Sequence, residues 1–184
     1  GSGDGAFGRV TAKAQDLRTG NFVLTAGTGN GADASIVASG TEADRTAGSS
    51  ALQSLDPGTV TMTAGGTAGA NAAAAYITSG GTQRITASTT QMTGGAGPDS
   101  FVRIAAAGNQ NLSFGNLTLQ GGTGANTRAA IESQSGGQSI SASTTQLLGG
   151  TGLAGVGQDA GALVINNAGA QTLNLGNLTI RSGA

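Results

Sequence analysis

The chain has 184 residues, which is enough for one domain with a buried core. It contains 35 Gly, 9% charged residues, no Cys and no His, and its formal net charge is −1. The lack of Cys excludes a disulfide framework and a thiolate metal site, and the lack of a basic stripe argues against a nucleic-acid partner. Low charge combined with regularly placed aliphatic residues predicts an ordered chain, because disordered segments are usually highly charged and poor in aliphatic residues.

One template recurs along the chain, and each copy opens on a glutamine. The residues two and nine positions after this glutamine are aliphatic in every copy. The six glutamines are Gln15, Gln53, Gln83, Gln110, Gln138 and Gln171. The aliphatic positions are Leu17, Leu55, Ile85, Leu112, Ile140 and Leu173, then Leu24, Met62, Met92, Leu119, Leu147 and Ile180. Successive glutamines are 38, 30, 27, 28 and 33 residues apart, a period typical of repeat proteins.

Within a copy, the sequence predicts two short strands, a glycine-rich corner and a third strand. Residues 112–119 alternate apolar and polar side chains with one interruption at Gly-Asn, and residues 173–180 repeat this pattern. Period-two alternation predicts strands, and Gly-Asn predicts a bend. A further apolar segment, such as Phe101–Ile104 or Leu163–Ile165, follows the glycines.

These elements predict an all-β chain folded as a right-handed parallel β-helix, or β-solenoid. We expect a single array over residues 1–184 with about six coils of three strands, each coil having roughly 28–38 residues. The coils begin near residues 15, 53, 83, 110, 138 and 171. The right hand follows from the usual handedness of crossovers between parallel strands.

The residues at the two ends of the sequence are typical of two parts of one coil. Residues 171–184 stop at a glycine corner, whereas residues 1–14 contain glycines and a short apolar strand before Gln15. Joining the two ends gives a glutamine spacing of 28, which lies within the observed range. Neither end has a polar cap, and exposed strand edges promote further pairing. We therefore expect residues 1–14 of the next unit to complete the last coil, either in a tandem chain or in a head-to-tail homopolymer.

The glutamine column is the strongest polar signal. We expect a structural ladder in which each side-chain amide bonds to the coils above and below, although a polar strip that binds sugar or ice is an alternative. A second polar column, six residues after each glutamine, favours a turn ladder. The Thr-rich segment Thr59–Thr63 is compatible with an ice-binding array, but other coils have Val23, Gln91 or Gln146 at the position of Thr61.

Neither a metal site, a cofactor nor an enzyme is predicted. Gly94–Phe101 matches a calcium-binding nonapeptide around Asp99, but the equivalent corners of the next two coils lack the aspartate. No pair of carboxylates recurs between coils, and the familiar His and Cys triads are excluded. Asp99 and Arg103 are the only neighbouring acid–base candidates for a carbohydrate-active β-helix. Since no apolar run approaches about 18 residues, we expect no membrane insertion.

Two insertions lengthen individual coils, at Thr41–Ser50 and at Leu153–Gly161. Insertions in a solenoid form loops on one face, often the face that meets a partner. An adhesin or stalk segment that grips a glycan or a surface through these loops is therefore an alternative function.

The Gln-x-Ile/Leu strands, the Gly-Asn-Leu-Thr-Leu segment at residues 115–119 and the segments of the type Leu-Thr-Gly-Gly resemble filamentous-haemagglutinin-type exoproteins. The resemblance covers essentially the whole chain as a style of repeat. It implies a giant, Cys-poor β-helix of a bacterial surface, secreted through a partner outer-membrane pore and serving as an adhesin or matrix fibre. The amino-terminal secretion domain of that family is not recognisable in this sequence.

The resemblance and the repeat pattern together predict a structural repeat unit of a secreted or surface-attached fibre. Head-to-tail stacking would build an extracellular filament, a sheath or a biofilm matrix, and the few charges would let rods associate laterally. The adhesin is the second prediction, and an ice-binding or carbohydrate-active β-helix is the third.

Overall fold

A computed structural model of the chain describes residues 3–44, 51–67, 72–151 and 160–183. In these ranges short and long strands alternate along the chain. The short strands are β1 (Phe7–Ala12), β3 (Asp33–Ala38), β5 (Ala75–Ser79), β7 (Phe101–Ala106), β9 (Arg128–Ser133) and β11 (Gly161–Asn166). The long strands are β2 (Gln15–Thr25), β4 (Gln53–Thr63), β6 (Gln83–Thr93), β8 (Gln110–Gln120), β10 (Gln138–Leu148) and β12 (Gln171–Arg181). One 3-10 helix covers Glu42–Asp44, and no helix of the described ranges could span a membrane.

The strands form two parallel sheets, one of long strands and one of short strands. The long-strand sheet has the order β12-β10-β8-β6-β4-β2, and the short-strand sheet has the order β1-β3-β5-β7-β9-β11. Every long strand pairs with the long strand of the next coil, so that Gln138 lies between Gln110 and Gln171. The prediction of an all-β, parallel β-solenoid is therefore confirmed.

The two strands that were predicted before the glycine corner are the two halves of one 11-residue strand. At the bend the pairing skips a single position: Ala142 pairs with Leu175 and Thr144 pairs with Asn177, while Ser143 is passed over. The bend also shifts the alternation by one residue. Residues two and four positions after the glutamine point inward, and beyond the bend the inward positions are seven and nine, as for Leu117 and Leu119.

The interior of the solenoid is filled by columns of aliphatic side chains that stack from coil to coil. Leu55, Ile85, Leu112 and Ile140 are buried in the first column, and Leu24, Met62, Met92 and Leu119 are buried in the second. The short strands contribute Ile36, Ile77, Ile104 and Ile131 from the opposite wall. Burying apolar area against the adjacent coil is the main stabilising term for such an array.

The glycine corner contains a column of six glycines, twelve positions after each glutamine. We call Gly27, Gly65, Gly95, Gly122, Gly150 and Gly183 the glycine column. A Cβ atom at Gly122 would overlap the carbonyl oxygen of Gly95, and one at Gly150 would overlap that of Gly122. The backbones of adjacent coils therefore approach so closely here that only glycine can occupy the column.

A second corner column lies two or three positions before the short strands, where the backbone is left-handed. Its described members are Gly5, Gly31, Ala72, Asp99 and Asn126, with φ values of 67°, 61°, 55°, 56° and 54°. Gly, Asn and Asp adopt this conformation most readily. The column turns the chain into the short-strand sheet at the same point of every described coil.

Candidate functional site

The six repeat glutamines form one ladder along the solenoid. Each side-chain Nε2 donates to the Oε1 of the glutamine in the preceding coil. The five distances are 2.8 Å for Gln53 to Gln15, 2.7 Å for Gln83 to Gln53, 2.8 Å for Gln110 to Gln83, 2.8 Å for Gln138 to Gln110 and 2.6 Å for Gln171 to Gln138. All five hydrogen bonds run in the same direction, so the ladder has a polarity.

The ladder is also anchored to the short-strand sheet. Gln15 Nε2 donates to the carbonyl oxygen of Val37 at 3.0 Å, and Gln138 Nε2 donates to that of Ile165 at 3.1 Å. Gln15 to Gln138 are at most 5% exposed, whereas Gln171 is exposed. Because five of the six amides are buried and bonded to one another, they stabilise the stack and leave no polar strip on the surface for a sugar or for ice.

At the C-terminal end face, which comprises β11 and β12, the side chains of the interior columns are exposed. Leu173 is 44% exposed, Leu178 49% and Ile180 69%, whereas their equivalents in the middle coils are fully buried. The edges of β11 and β12 that face away from the described coils pair with no described strand. This face therefore presents apolar side chains and free backbone hydrogen-bonding groups together.

The N-terminal end face, which comprises β1 and β2, is the counterpart of that surface. Val10 is 52% exposed, whereas its equivalents Ile77 and Ile104 are fully buried. An open groove of about 540 Å³ lies between the two strands and is lined by Val10, Leu17, Phe22 and Leu24, among others. The two end faces thus carry the two halves of the interface that joins every pair of coils inside the molecule.

The Thr-rich surface of the long-strand sheet does not form a regular array. Thr59 Oγ1 donates to Asn21 Oδ1 at 2.7 Å, so part of the second polar column is a turn ladder. The next outward column contains Val23, Thr61 and Gln91 in successive coils. Gln91 and Val23 interrupt the Thr-x-Thr spacing that an ice-binding plane would need.

Asp99 has a conformational role that accounts for the calcium-like motif. It is the left-handed residue of its corner, and Asn126 occupies the same place in the next coil. Asn126 Nδ2 donates to Asp99 Oδ1 at 3.1 Å. Within the described ranges, no group of three or more acidic, His or Cys side chains could hold a metal ion.

Among the described residues, Asp99 and Arg103 have different side-chain partners. Arg103 Nη1 lies 3.6 Å from Glu132 Oε2, and its guanidinium carbon lies 5.7 Å from the centre of the Phe101 ring. Arg128 approaches the same ring at 5.6 Å. Sequence reasoning missed this group, because the relative register of the short strands is hidden by the variable corners that precede them.

The described start of the first insertion is fastened to the solenoid. Asp44 accepts hydrogen bonds from Thr41 N at 3.0 Å and from Lys13 Nζ at 3.2 Å. The Thr41 backbone bond, followed by the Lys13 bond, lowers the pKa of the Asp44 carboxyl. Glu42 Oε1 accepts from Thr82 N, one coil further along. Residues 45–50 of this insertion and residues 153–159 of the second lie outside the described residues.

Comparison of the chain with protein-family models, with curated proteins and with solved structures gives no match.

Proposed function

We propose that the chain is a structural repeat segment of an extracellular β-solenoid fibre of the filamentous-haemagglutinin type. Its task is to extend a rod by adding coils at the two end faces. The observation that carries this proposal is the pair of end faces, which present both halves of the coil–coil interface with apolar columns exposed. A soluble rod with two such faces would be prone to edge-to-edge association, so a further coil on each face is the natural cover.

The register of the proposed joint follows from the ladder. The polarity of the glutamine bonds requires Gln15 Nε2 of one unit to donate to Gln171 Oε1 of the unit before it. Inside the molecule, each repeat glutamine N–H donates to the carbonyl of the residue that precedes the next glutamine, as Gln138 does to Ala170 at 2.9 Å. The same rule pairs Gln171 N–H with the carbonyl oxygen of Ala14 across the joint.

The same register also matches the apolar columns. Leu173 would stack on Leu17, Leu178 on Phe22, and Ile180 on Leu24. The exposed side chains of the C-terminal end face would then fill the groove beside Val10. The joint would repeat the interior interface, whether the next coil belongs to the same polypeptide or to a second copy.

The surface chemistry supports a fibre with a mechanical role. Charged residues make up only 9% of the chain, and the outward positions beyond the bend of the long strands are mostly Thr, Asn and Gln. Such rods repel one another weakly, which favours lateral packing in a sheath or matrix. Secretion to the bacterial surface is part of the proposal and rests on the resemblance of the repeat template.

Electron microscopy of the purified chain, combined with the mass of native material on a denaturing gel, tests the proposal. We expect rods much longer than the roughly 30 Å of six coils. Native material that runs at 17.5 kDa would indicate non-covalent joints, and a very large band would indicate joints within one polypeptide. Rods that stay one unit long at high concentration, together with native material of 17.5 kDa, would contradict the fibre.

A pair of variants on β12 separates the end-face joint from general association. Ile180→Asp places a charge on the exposed inward column, and we expect it to stop elongation while the melting temperature changes little. Thr179→Asp adds the same charge one residue away on the outward side and should leave elongation intact. An equal loss of elongation in both variants would contradict a joint that is formed by the interior columns.

A further inference from the structure

The outer face of the short-strand sheet differs chemically from the rest of the surface. Arg9, Ser35, Tyr76 and Arg103 follow one another in a single outward column over four successive coils. Phe101 and Arg128 are paired in the neighbouring column. This face thus concentrates arginine and aromatic side chains in a chain that has only five aromatic residues.

These side chains are held in place by one another. Arg9 Nε donates to Ser35 Oγ at 3.1 Å, and Arg9 Nη2 donates to Tyr76 Oη at 2.9 Å. The guanidinium groups of Arg103 and Arg128 both lie within 6 Å of the Phe101 ring, where cation–π attraction is effective. The face is therefore a preorganised positive surface.

An open groove of about 300 Å³ runs along this face beside Arg103. Val37, Thr78 and Ala105 line it from three successive coils, and Gln134 lines it from the coil after them. We call it the arginine groove. Small side chains form its base, and it extends about 14 Å along the solenoid axis, the span of three coil spacings. Its length suits a chain-like ligand laid parallel to the axis.

Arg103 has hydrogen-bonding capacity that the protein does not use. Its Nε atom is buried and has no hydrogen-bond partner among the described residues. Its Nη1 faces Glu132 Oε2 at 3.6 Å, and the Arg103 side chain keeps 29% of its surface exposed. The Nε atom is enclosed, so a ligand would meet the exposed part of the side chain, and a guanidinium can donate two parallel hydrogen bonds to an incoming carboxylate.

We infer that the arginine groove binds an acidic saccharide, a sugar chain that carries carboxylate groups. Arg103 would bind a carboxylate, while the Thr78 hydroxyl and the Gln134 amide would bond to sugar hydroxyls. The small apolar base of the groove would contact the C–H faces of the rings. Arg103 is the charged residue that lines the groove, while Arg9 and Arg128 add positive charge elsewhere on the same sheet. Glu132, which pairs with Ala105 in the next coil, opposes an anion here. This site is separate from the end faces, so it does not depend on the proposed fibre.

Binding of a galacturonate tetrasaccharide to the full chain, measured by calorimetry at low salt, tests this inference. The neutral galactose tetrasaccharide and free acetate are the comparison probes. Arg103→Gln should weaken binding of the acidic tetrasaccharide by about 10–100-fold, the range expected for a charged hydrogen-bonded pair. Arg18→Gln removes the same charge from the other sheet, where Arg18 is exposed beside Asp16, and should leave binding within about twofold.

Two further variants test the shape and the charge of the groove, and the gain expected for Glu132→Gln is one that a folding defect would not produce. Ala105→Met fills the groove without changing charge and should weaken binding at least about tenfold, because the ring faces lose their contact surface. Glu132→Gln removes the opposing carboxylate and should strengthen binding several-fold. Absence of binding by the unsubstituted chain, equal binding of the neutral tetrasaccharide or of acetate, or equal losses in Arg103→Gln and Arg18→Gln would each overturn the inference.

Discussion

The bend of each long strand and the glycine corner that follows it both use small residues, but for different reasons. The bend column, five positions after each glutamine, contains Gly20, Gly58, Ser88, Gly115, Ser143 and Gly176, so two of its six members carry a side chain. At Ser88 the hydroxyl donates to the carbonyl oxygen of Gly58 in the coil below. The glycine column has no such exception. A Cβ at Gly58, Gly115 or Gly176 of the bend would lie 2.3–2.6 Å from a backbone oxygen of the preceding coil, whereas at Gly122, Gly150 or Gly183 it would lie 1.6–2.0 Å away. The coils are therefore packed more tightly at the glycine corner than at the bend, where the chain accepts serine.

The left-handed column before the short strands adds a third case. There the restriction is conformational and no neighbour crowds Gly31, since nothing lies within 4 Å of the site that a Cβ would occupy. Substitutions at the three columns therefore compare severe steric overlap at the glycine column, backbone strain at the left-handed column and a milder overlap at the bend column.

The largest effect is expected for Gly122→Ala in the glycine column. The added Cβ overlaps the Gly95 carbonyl oxygen, so the backbones of two adjacent coils must move apart at this corner. We expect a loss of about 3 kcal/mol in unfolding free energy, which corresponds to a decrease of about 6–12 °C in melting temperature. Thermal unfolding followed by circular dichroism measures it. A decrease in melting temperature of less than about 2 °C would contradict the steric explanation of this column.

A smaller loss is expected for Gly31→Ala in the left-handed column. The alanine meets no atom, so the cost is the strain of a positive φ, about 1 kcal/mol after the gain from a stiffer unfolded chain. The same melting experiment should show a decrease of about 2–4 °C. A loss as large as that of Gly122→Ala would mean that the two corners are crowded alike.

The opposite sign is expected for Ala72→Gly. Ala72 holds a φ of 55° that glycine adopts without strain, so the substitution should stabilise the fold by about 0.5 kcal/mol. Ala73→Gly, one residue later, lies outside the left-handed column and removes a buried methyl group, so it should destabilise. If both variants destabilise the fold, the positive φ of Ala72 causes no measurable strain.

The smallest change is expected for Gly115→Ser in the bend column. A Cβ at Gly115 would lie 2.4 Å from the Ser88 carbonyl oxygen, so the backbone must shift slightly, as the column already allows for Ser88 and Ser143 in the coils below and above. The new hydroxyl can then donate to the Ser88 carbonyl as Ser88 does to Gly58. We expect the unfolding free energy to stay within about 0.5 kcal/mol. Urea unfolding midpoints compare it directly with Gly122→Ser, which should lose about as much stability as Gly122→Ala.

Much of the fold follows from the sequence because interior columns repeat at fixed distances from a glutamine. Leu112, Leu119 and their equivalents mark the inward positions, and the Gly-Asn bend marks the change of alternation. The sequence does not predict that the two strand halves form one strand. The bend removes a single paired position, and in a sequence pattern this gap looks like the end of one strand and the start of another. The sequence shows a glycine twelve positions after each glutamine. The reason that only glycine occurs there is the close approach of adjacent coils, which the sequence does not show.

The outer surfaces were harder to predict. Arg9, Tyr76 and Arg103 share a column only because corners of different length precede their strands, and sequence spacing does not reveal that alignment. The sequence around Asp99 matches a calcium-binding nonapeptide, whereas the structure groups Asp99 with Asn126 and Gly31 in the left-handed column. A conformational requirement and a ligand requirement can select the same residue type.

The direction of the backbone hydrogen bonds gives the solenoid a particular response to force. Strands lie across the axis, so the bonds that join the ten paired positions of β10 and β12 and the six of β9 and β11 point along it. Tension applied evenly to the rod loads all bonds of a coil–coil interface at once, whereas tension applied at a chain terminus peels one strand and loads them in succession. The same molecule is therefore stiff when stretched as a rod and weak when unwound from its end.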